Sequence, residues 1–202
     1  MNNKSYIWNF FLSDIKNEYG VAGLMGNLQA ESGLLPNNLE NAYEQTLGYT
    51  DETYTNAVDN GTYSESSFVN DSAGYGLAQW TYYTRKQGLY NLYKSGNYSS
   101  IGSIELACDY LLYELKNSYP DVYNTLKETK NIRTASDKVL HDFENPADQS
   151  ELVEKFRCGL SESIYEEMTG LNPPPDEPEI VVKKKSKFNL IFWKKIKLRR
   201  NT

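Results

Sequence analysis

Hydrophobic positions recur along most of this chain at helical spacing. Trp8, Phe11, Leu12, Ile15 and Tyr19 fall on one stripe, which predicts a first helix over Ser5–Tyr19 closed by Gly20. Val21, Leu24, Met25 and Leu28 follow at i, i+3, i+4 and i+7 and predict a second helix that Ser32 and Gly33 stop. The same period returns after residue 84. It predicts helices over Arg85–Lys94, Ser103–Asn117, Pro120–Lys127 with proline at the first helical position, Thr134–Glu144 ended by Pro146, and Gln149–Met168 closed by Gly170. In the last of these, Leu152, Phe156, Leu160, Ile164 and Met168 read as the core face.

Residues 34–83 lack that period. Pro36, Asn37, Asn38, Gly48, Asp59-Asn60-Gly61, Asn70-Asp71 and Gly74 punctuate short aromatic and β-branched pieces. The pattern predicts loops, one short helix near Asn41–Thr46, and at most a small hairpin ending in Gly74-Tyr75-Gly76-Leu77-Ala78-Gln79-Trp80. The expected fold class is therefore mainly α, a helical domain with a small β/loop insertion between helices. Loop regions this long inside a compact domain are usually functional. This one carries Tyr43, Tyr49, Tyr54, Tyr63, Tyr75, Trp80, Tyr82 and Tyr83, and flat rings with polar tips suit ligands such as sugars.

A chain of 202 residues has room for one domain and an appendage. The division expected is a body over 1–171, a Pro-rich acidic linker over 172–182, and a basic amphipathic tail over 183–202. The tail carries nine Lys/Arg and no acid, which leaves 12 basic residues against 27 acidic ones in the body and linker. The overall charge of −6 therefore hides a −15 part and a +9 part. Interleaved with Phe188, Ile191, Phe192 and Trp193, the tail charges suit an anionic wall polymer or membrane surface. No specific nucleic-acid partner is expected, and the protein is read as a monomer.

Several classes drop out. No apolar stretch reaches the ~18 residues of a membrane span, and the N-terminal segment lacks the apolar run and cleavage site of a signal peptide. Any route to a target outside the membrane is expected to run through a virion or a permeabilised membrane. Cys108 and Cys158 sit in separate helical patterns and are expected as buried free thiols. With His141 the single histidine, a zinc site or a Cys/His or Ser/His peptidase has no support, and no cofactor is expected.

Candidate chemistry centres on Glu31. It follows Leu28 by three residues, so the apolar face of the second helix ends in a carboxyl group. Burial and the negative end of the helix dipole both disfavour the charged form of a carboxyl so placed, as a general acid requires. The plain alternative is a helix-end Glu pointing into water. Glycoside cleavage often uses a second carboxylate across the cleft; the candidates are Asp71, Asp59, Asp51 and Glu52. Asp71, nearest the Gly74–Trp80 segment, is preferred, against its reading as a turn-capping residue.

Glu31-Ser32-Gly33 followed some forty-five residues later by Gly76-Leu77-Ala78-Gln79-Trp80 resembles motifs of goose-type lysozymes and soluble lytic transglycosylases. The runs Y-G-V-A-G-L-M-G-N-L-Q-A-E-S-G, S-A-G-Y-G-L-A-Q-W-T and F-E-N-P-A-D-Q-S are similar, in order and spacing, to the phage tail lysozyme family. The resemblance spans roughly Ser5 to Tyr165. It implies a lysozyme-like fold and cleavage of the β-1,4 bond between N-acetylmuramic acid and N-acetylglucosamine in peptidoglycan. By the motif, Glu31 is the general acid, Ser32 orients it or the sugar, Gln79 hydrogen-bonds substrate, and Tyr75 and Trp80 border the sugar subsites. Ala78 stands where the transglycosylase motif has Met. The transglycosylases' later Ala-Tyr-Asn motif has no clear counterpart, since Asn41-Ala42-Tyr43 comes too early and Tyr123-Asn124 matches weakly. Phe143-Glu144-Asn145-Pro146 reads first as a helix stop, with a cleft role for Glu144 as the second reading. Hydrolase and lytic transglycosylase both fit this pattern, as does a glycan-binding tail-tip module without activity.

Overall fold

The computed structural model describes residues 2–175. Among them are ten α-helices, one π-helical turn and no strand. The helices are α1 (Asn3–Ile15), α2 (Glu18–Ser32), α3 (Asn41–Leu47), α4 (Asp51–Asp59), α5 (Glu65–Asn70), α6 (Tyr83–Lys94), α7 (Ile104–Asn117), α8 (Pro120–Glu128), α9 (Ile132–Val139) and α10 (Glu151–Thr169), with the π turn Leu140–Glu144 continuing α9. The fold is mainly helical, as the sequence pattern predicts. No helix among the described residues is long and apolar enough to cross a membrane. The basic 183–202 segment and most of the expected linker lie outside the described residues.

The centre of the body is α2. Every residue from Gly20 to Leu28 is buried, because α1, α8, α9 and α10 all pack against it. Glycine makes the closest of these approaches possible. A Cβ on Gly23 would lie 2.4 Å from Ala135 Cβ, and one on Gly26 would lie 2.0 Å from Ser161 Oγ. The boundary between the first two helices falls earlier than the apolar stripe suggests. Lys16 turns left-handed at φ 58°, and Asn17 then caps α2 by accepting from the Tyr19 N–H. Its side-chain amide also donates to the carbonyls of Leu126 and Thr129, fixing α2 to the end of α8. Tyr19 and Gly20 therefore belong to α2. The two cysteines are buried free thiols, as expected.

Two other expectations need correction. In α10, Leu152 is 77% exposed and Phe156 61% exposed, while Arg157, Cys158, Ser161, Ile164 and Tyr165 face inward. The helix is rotated about one residue from the apolar stripe, because its inner face meets Gly26 and the carboxyl end of α2. The 34–83 region is less irregular than predicted. Beside α3, near its predicted place, α4 and α5 form, with Thr50 and Ser64 as their caps. The Asp59-Asn60-Gly61 turn ends α4 rather than joining two strands. In place of a hairpin there are two isolated bridges, Leu39 with Tyr75 and Tyr75 with Trp80.

Candidate active site

The Tyr75–Trp80 turn and the end of α2 are built to meet. Tyr75 and Trp80 exchange two backbone hydrogen bonds, at 3.2 and 2.9 Å, closing a tight loop. Gly76, at φ 77°, and Gln79, at φ 45°, take the left-handed geometry this requires. Ser32, 4% exposed at the last turn of α2, reaches the Leu77 carbonyl at 2.8 Å and the Leu28 carbonyl at 3.1 Å. Its hydroxyl thus ties the loop to the helix end that carries Glu31. The Gln79 amide donates to Asn38 Oδ1 at 2.9 Å and lies 3.1 Å from the carbonyls of Asn38 and Gly76. Glu40 accepts from the Gly74 N–H at 2.9 Å, holding the other side of the same loop.

These residues border two cavities of about 460 and 650 Å³. Glu31, Glu40 and Gln79 stand in the walls of both, so the two are halves of one cleft. The smaller half adds Ser32, Gly33, Asn38 and Asn41. The larger adds Tyr43, Ser72, Thr81, Tyr82, Arg85, Glu144 and Pro146. A separate cavity of about 690 Å³ between α6 and α7 shares only Arg85 with this cleft.

Glu31 is not left to solvent. Its side chain is 21% exposed, and Oε1 accepts from the Arg157 guanidinium. Arg157 in turn donates to Asn27 Oδ1 at 3.1 Å, and the Asn27 amide donates to the Gly23 and Ser136 carbonyls at 2.9 and 3.1 Å. The carboxyl is therefore positioned by a buried polar chain running through α2, α9 and α10. A fully partnered network of this kind holds one rotamer at low entropic cost.

Glu144 enters the cleft from the end of the π turn. Asn145 then turns left-handed at φ 46°, its N–H donating to the Leu140 carbonyl at 2.8 Å. Glu144 Oε1 is buried, with no hydrogen-bond partner among the described residues. Burial pushes its carboxyl up to about 8, and the nearby Glu31 charge pushes the same way, against the pull of Arg85 and Arg157. Behind it, Arg85 makes a two-pronged ion pair with Glu114 at 2.7 and 2.8 Å and stacks 4.8 Å over the Phe143 ring.

Of the residues singled out in the sequence, Glu31, Ser32 and Gln79 are brought together, and three others are not. Asp71 lines neither half of the cleft. Its oxygens are taken by Lys86 at 2.6 Å, the hydroxyls of Tyr54 and Tyr63 at 2.5 and 3.2 Å, and the Ala73 N–H at 3.0 Å. Lys86 is itself wholly buried, so Asp71 is half of an interior ion pair that cannot face a sugar. Tyr75 is fully buried with its hydroxyl 2.7 Å from Thr55 Oγ1. Trp80 is fully buried with Nε1 donating to Glu114 at 2.7 Å. Both hold the loop from behind and border no subsite. The other candidates for the second carboxylate are structural too where they bond. Asp51 accepts from the Leu39 N–H at 2.7 Å, and Asp59 from Ser100 Oγ and the Ile101 N–H. Sequence reasoning missed Glu40 as a cleft residue and Arg157 as the partner of Glu31, whereas Tyr43 and Tyr82, among the aromatics of the 34–83 region, do line the larger half.

His141 secures the segment that delivers Glu144. Its ring nitrogens lie 2.8 Å from Gln149 Oε1 and 2.9 Å from Glu154 Oε1, both acceptors. The Gln149 orientation is fixed because its amide nitrogen donates to Asn145 Oδ1 at 2.7 Å. Two acceptors require two N–H donors, so the imidazolium is the form this site fits. The hydrogen bond to Gln149 comes first in raising the His141 pKa above the usual histidine value, with Glu154 adding to it against a desolvation cost. A raised folded pKa gives stability that is full below the unfolded value and lost as pH climbs through the folded one. The melting-temperature gap between wild type and His141→Gln is therefore expected to be larger at pH 6 than at pH 8.5, with the single histidine titrated by NMR as a check. An equal gap at both pH values would remove the imidazolium from the account.

No curated protein and no solved structure matches the chain. A family model described as phage tail lysozyme matches residues 2–166, nearly the whole described body. The chain belongs to the phage tail lysozyme family, and with it to the lysozyme-type proteins that cleave the peptidoglycan of the bacterial cell wall.

Proposed function

We propose that the protein is a muramidase that cuts the β-1,4 bond between N-acetylmuramic acid and N-acetylglucosamine, with Glu31 as general acid. The observation that carries this reading is the position of Glu31 in the wall shared by both halves of the cleft, oriented through Arg157 and with Gln79 in the same walls. A glycan lying along the cleft passes Glu31 at its middle, so the bond cut is an internal one. Arg157 engages Oε1, and the proton is delivered from the other oxygen to the glycosidic oxygen as the C1–O bond breaks. The transition state is oxocarbenium-like, and proton donation in it offsets the poor leaving ability of a sugar alkoxide. Gln79 stands in the same walls as the acid, and with its amide nitrogen taken up by Asn38 and Gly76 it is the side-chain carbonyl oxygen that suits an N-acetyl N–H or a hydroxyl group of the sugars.

The test is digestion of purified peptidoglycan, borohydride reduction and mass spectrometry of the products. Fragments ending in muramic acid, reduced or as the 1,6-anhydro sugar, are expected. Fragments ending in reduced N-acetylglucosamine would place the cut at the other bond of the repeat and overturn the assignment.

A further inference from the structure

The geometry points to Glu144 as the second catalytic carboxyl of the cleft, the base that takes a proton from the attacking water. This rests on Glu31 being the acid, as proposed above, and it replaces Asp71 in the role the sequence suggested.

Three features of the fold converge on Glu144. The α9 helix does not simply stop; it widens into the π turn Leu140–Glu144, a rare geometry that is frequent at functional sites. The last residue of that turn stands in the same cavity wall as Glu31, Gln79 and Tyr43. One of its oxygens, Oε1, is buried and has no hydrogen-bond partner among the described residues, whereas Asp71 has four donors around it. A buried carboxyl oxygen without a donor is costly and is not retained for stability. Anchoring of the segment falls to its neighbours: Phe143 packs edge-on to Tyr119 at 4.9 Å and under Arg85, and His141 binds Gln149 and Glu154. Glu144 itself is left for the cleft.

Four charged groups bear on Glu144. Glu31 on α2 opposes its charge, Glu114 on α7 does so from further back, and Arg85 on α6 and Arg157 on α10 favour it. Both carboxyls line the same cavity, and burial together with the Glu31 charge favours the protonated form of Glu144, which holds a proton at rest. In turnover Glu31 carries it. The proton goes to the glycosidic oxygen, which also takes the electron pair of the breaking C1–O bond. Glu144, then ionised, accepts a proton from a water whose oxygen forms the new bond to C1 from the opposite face. One water is consumed, and Glu144 again holds a proton. The product is a free reducing muramic acid of inverted configuration.

The experiment uses the full chain on purified peptidoglycan, with Glu144→Gln, Glu144→Ala and Glu31→Gln compared with wild type. Glu144→Gln is expected to slow release of reducing ends by about 100-fold or more, while sedimentation with insoluble peptidoglycan is retained. Sodium azide, a nucleophile that needs no base, is expected to restore turnover in Glu144→Ala with a glycosyl azide as product, and to do nothing for Glu31→Gln. Wild-type activity is expected to fall above about pH 8, where Glu144 loses the proton that Glu31 carries in turnover, and this limb moves in Glu144→Gln. A Glu144→Gln rate within a few-fold of wild type, a folded Glu144→Ala indifferent to azide, or wild-type products ending in 1,6-anhydro sugar would each overturn the assignment. If a variant does not fold, the wild-type end groups and pH limb decide. An active Glu31→Gln would instead remove the reading on which this one rests.

Discussion

Glu31→Gln is expected to lower peptidoglycan cleavage by about 10²- to 10⁴-fold while leaving the fold and wall binding in place. The reasoning starts from what Gln preserves. Its amide oxygen can still accept from Arg157, so the chain from Ser136 through Asn27 and Arg157 keeps its end partner. Ser32 still joins α2 to the Leu77 carbonyl, and no apolar contact is lost. The melting temperature should therefore move by a few degrees at most. What Gln cannot supply is an acidic proton, and a glycosidic oxygen must be protonated as it leaves. The measurement is a paired one, release of soluble muropeptides and sedimentation with insoluble peptidoglycan. Loss of the first with retention of the second makes Glu31 catalytic, and indifference to azide makes it the acid. Unchanged cleavage would move the chemistry elsewhere in the cleft, and a wild type that binds walls without cutting them would make the protein a glycan-binding module.

How much of the fold and the cleft is legible in the sequence depends on which physical signal each residue leaves in the chain. Apolar periodicity located α1 and α6 to α9 because each buries one face against a neighbour, and α2 because its largest side chains keep that period although glycine and alanine let its other faces be buried too. It misplaced the inner face of α10 because that face is partly polar. Arg157 and Ser161 are buried there on account of what they meet, Glu31 and Gly26, which lie over a hundred residues away in sequence. It missed α4 and α5, whose caps Thr50 and Ser64 look like turn residues when the helices behind them are short. Glu31, Ser32 and Gln79 were legible because local helix and loop geometry places them. Asp71, Tyr75 and Trp80 were misread for the converse reason. Aromatic and acidic residues in a loop-rich stretch suggest a sugar-facing wall, but here their polar atoms find interior partners in Lys86, Thr55 and Glu114. Nothing in the spacing of residues 34–83 announces that Lys86, on a helix beyond it, is buried.

Asp71→Asn is expected to cost about 3–5 kcal/mol of stability, the range found when one partner of a buried ion pair is removed. At ~2–4 °C per kcal/mol for a chain of this size, the melting temperature should fall by about 10 °C. Lys86 has no exposure, and the carboxylate offsets the expense of burying its ammonium. With Asn in place, the remaining acceptors near Lys86 Nζ are the Ala73 carbonyl at 2.9 Å and the Tyr54 hydroxyl at 3.4 Å, neither charged. The penalty should also depend on pH in a definite direction. Desolvation already lowers the Lys86 pKa, with Asp71 opposing it, so the variant removes the main support of the charged form. A lysine whose folded pKa lies below its unfolded one binds fewer protons when folded, and stability then rises with pH between the two values. Asp71→Asn should accordingly recover part of its loss between pH 7 and pH 10, and Asp71→Asn/Lys86→Met should recover more at pH 7. Calorimetric melts of the three proteins at the two pH values give the comparison, with cleavage measured well below the variant's melting point. If Asp71→Asn melts like wild type but no longer cuts peptidoglycan, Asp71 is catalytic after all, and the interior ion pair does not hold this loop.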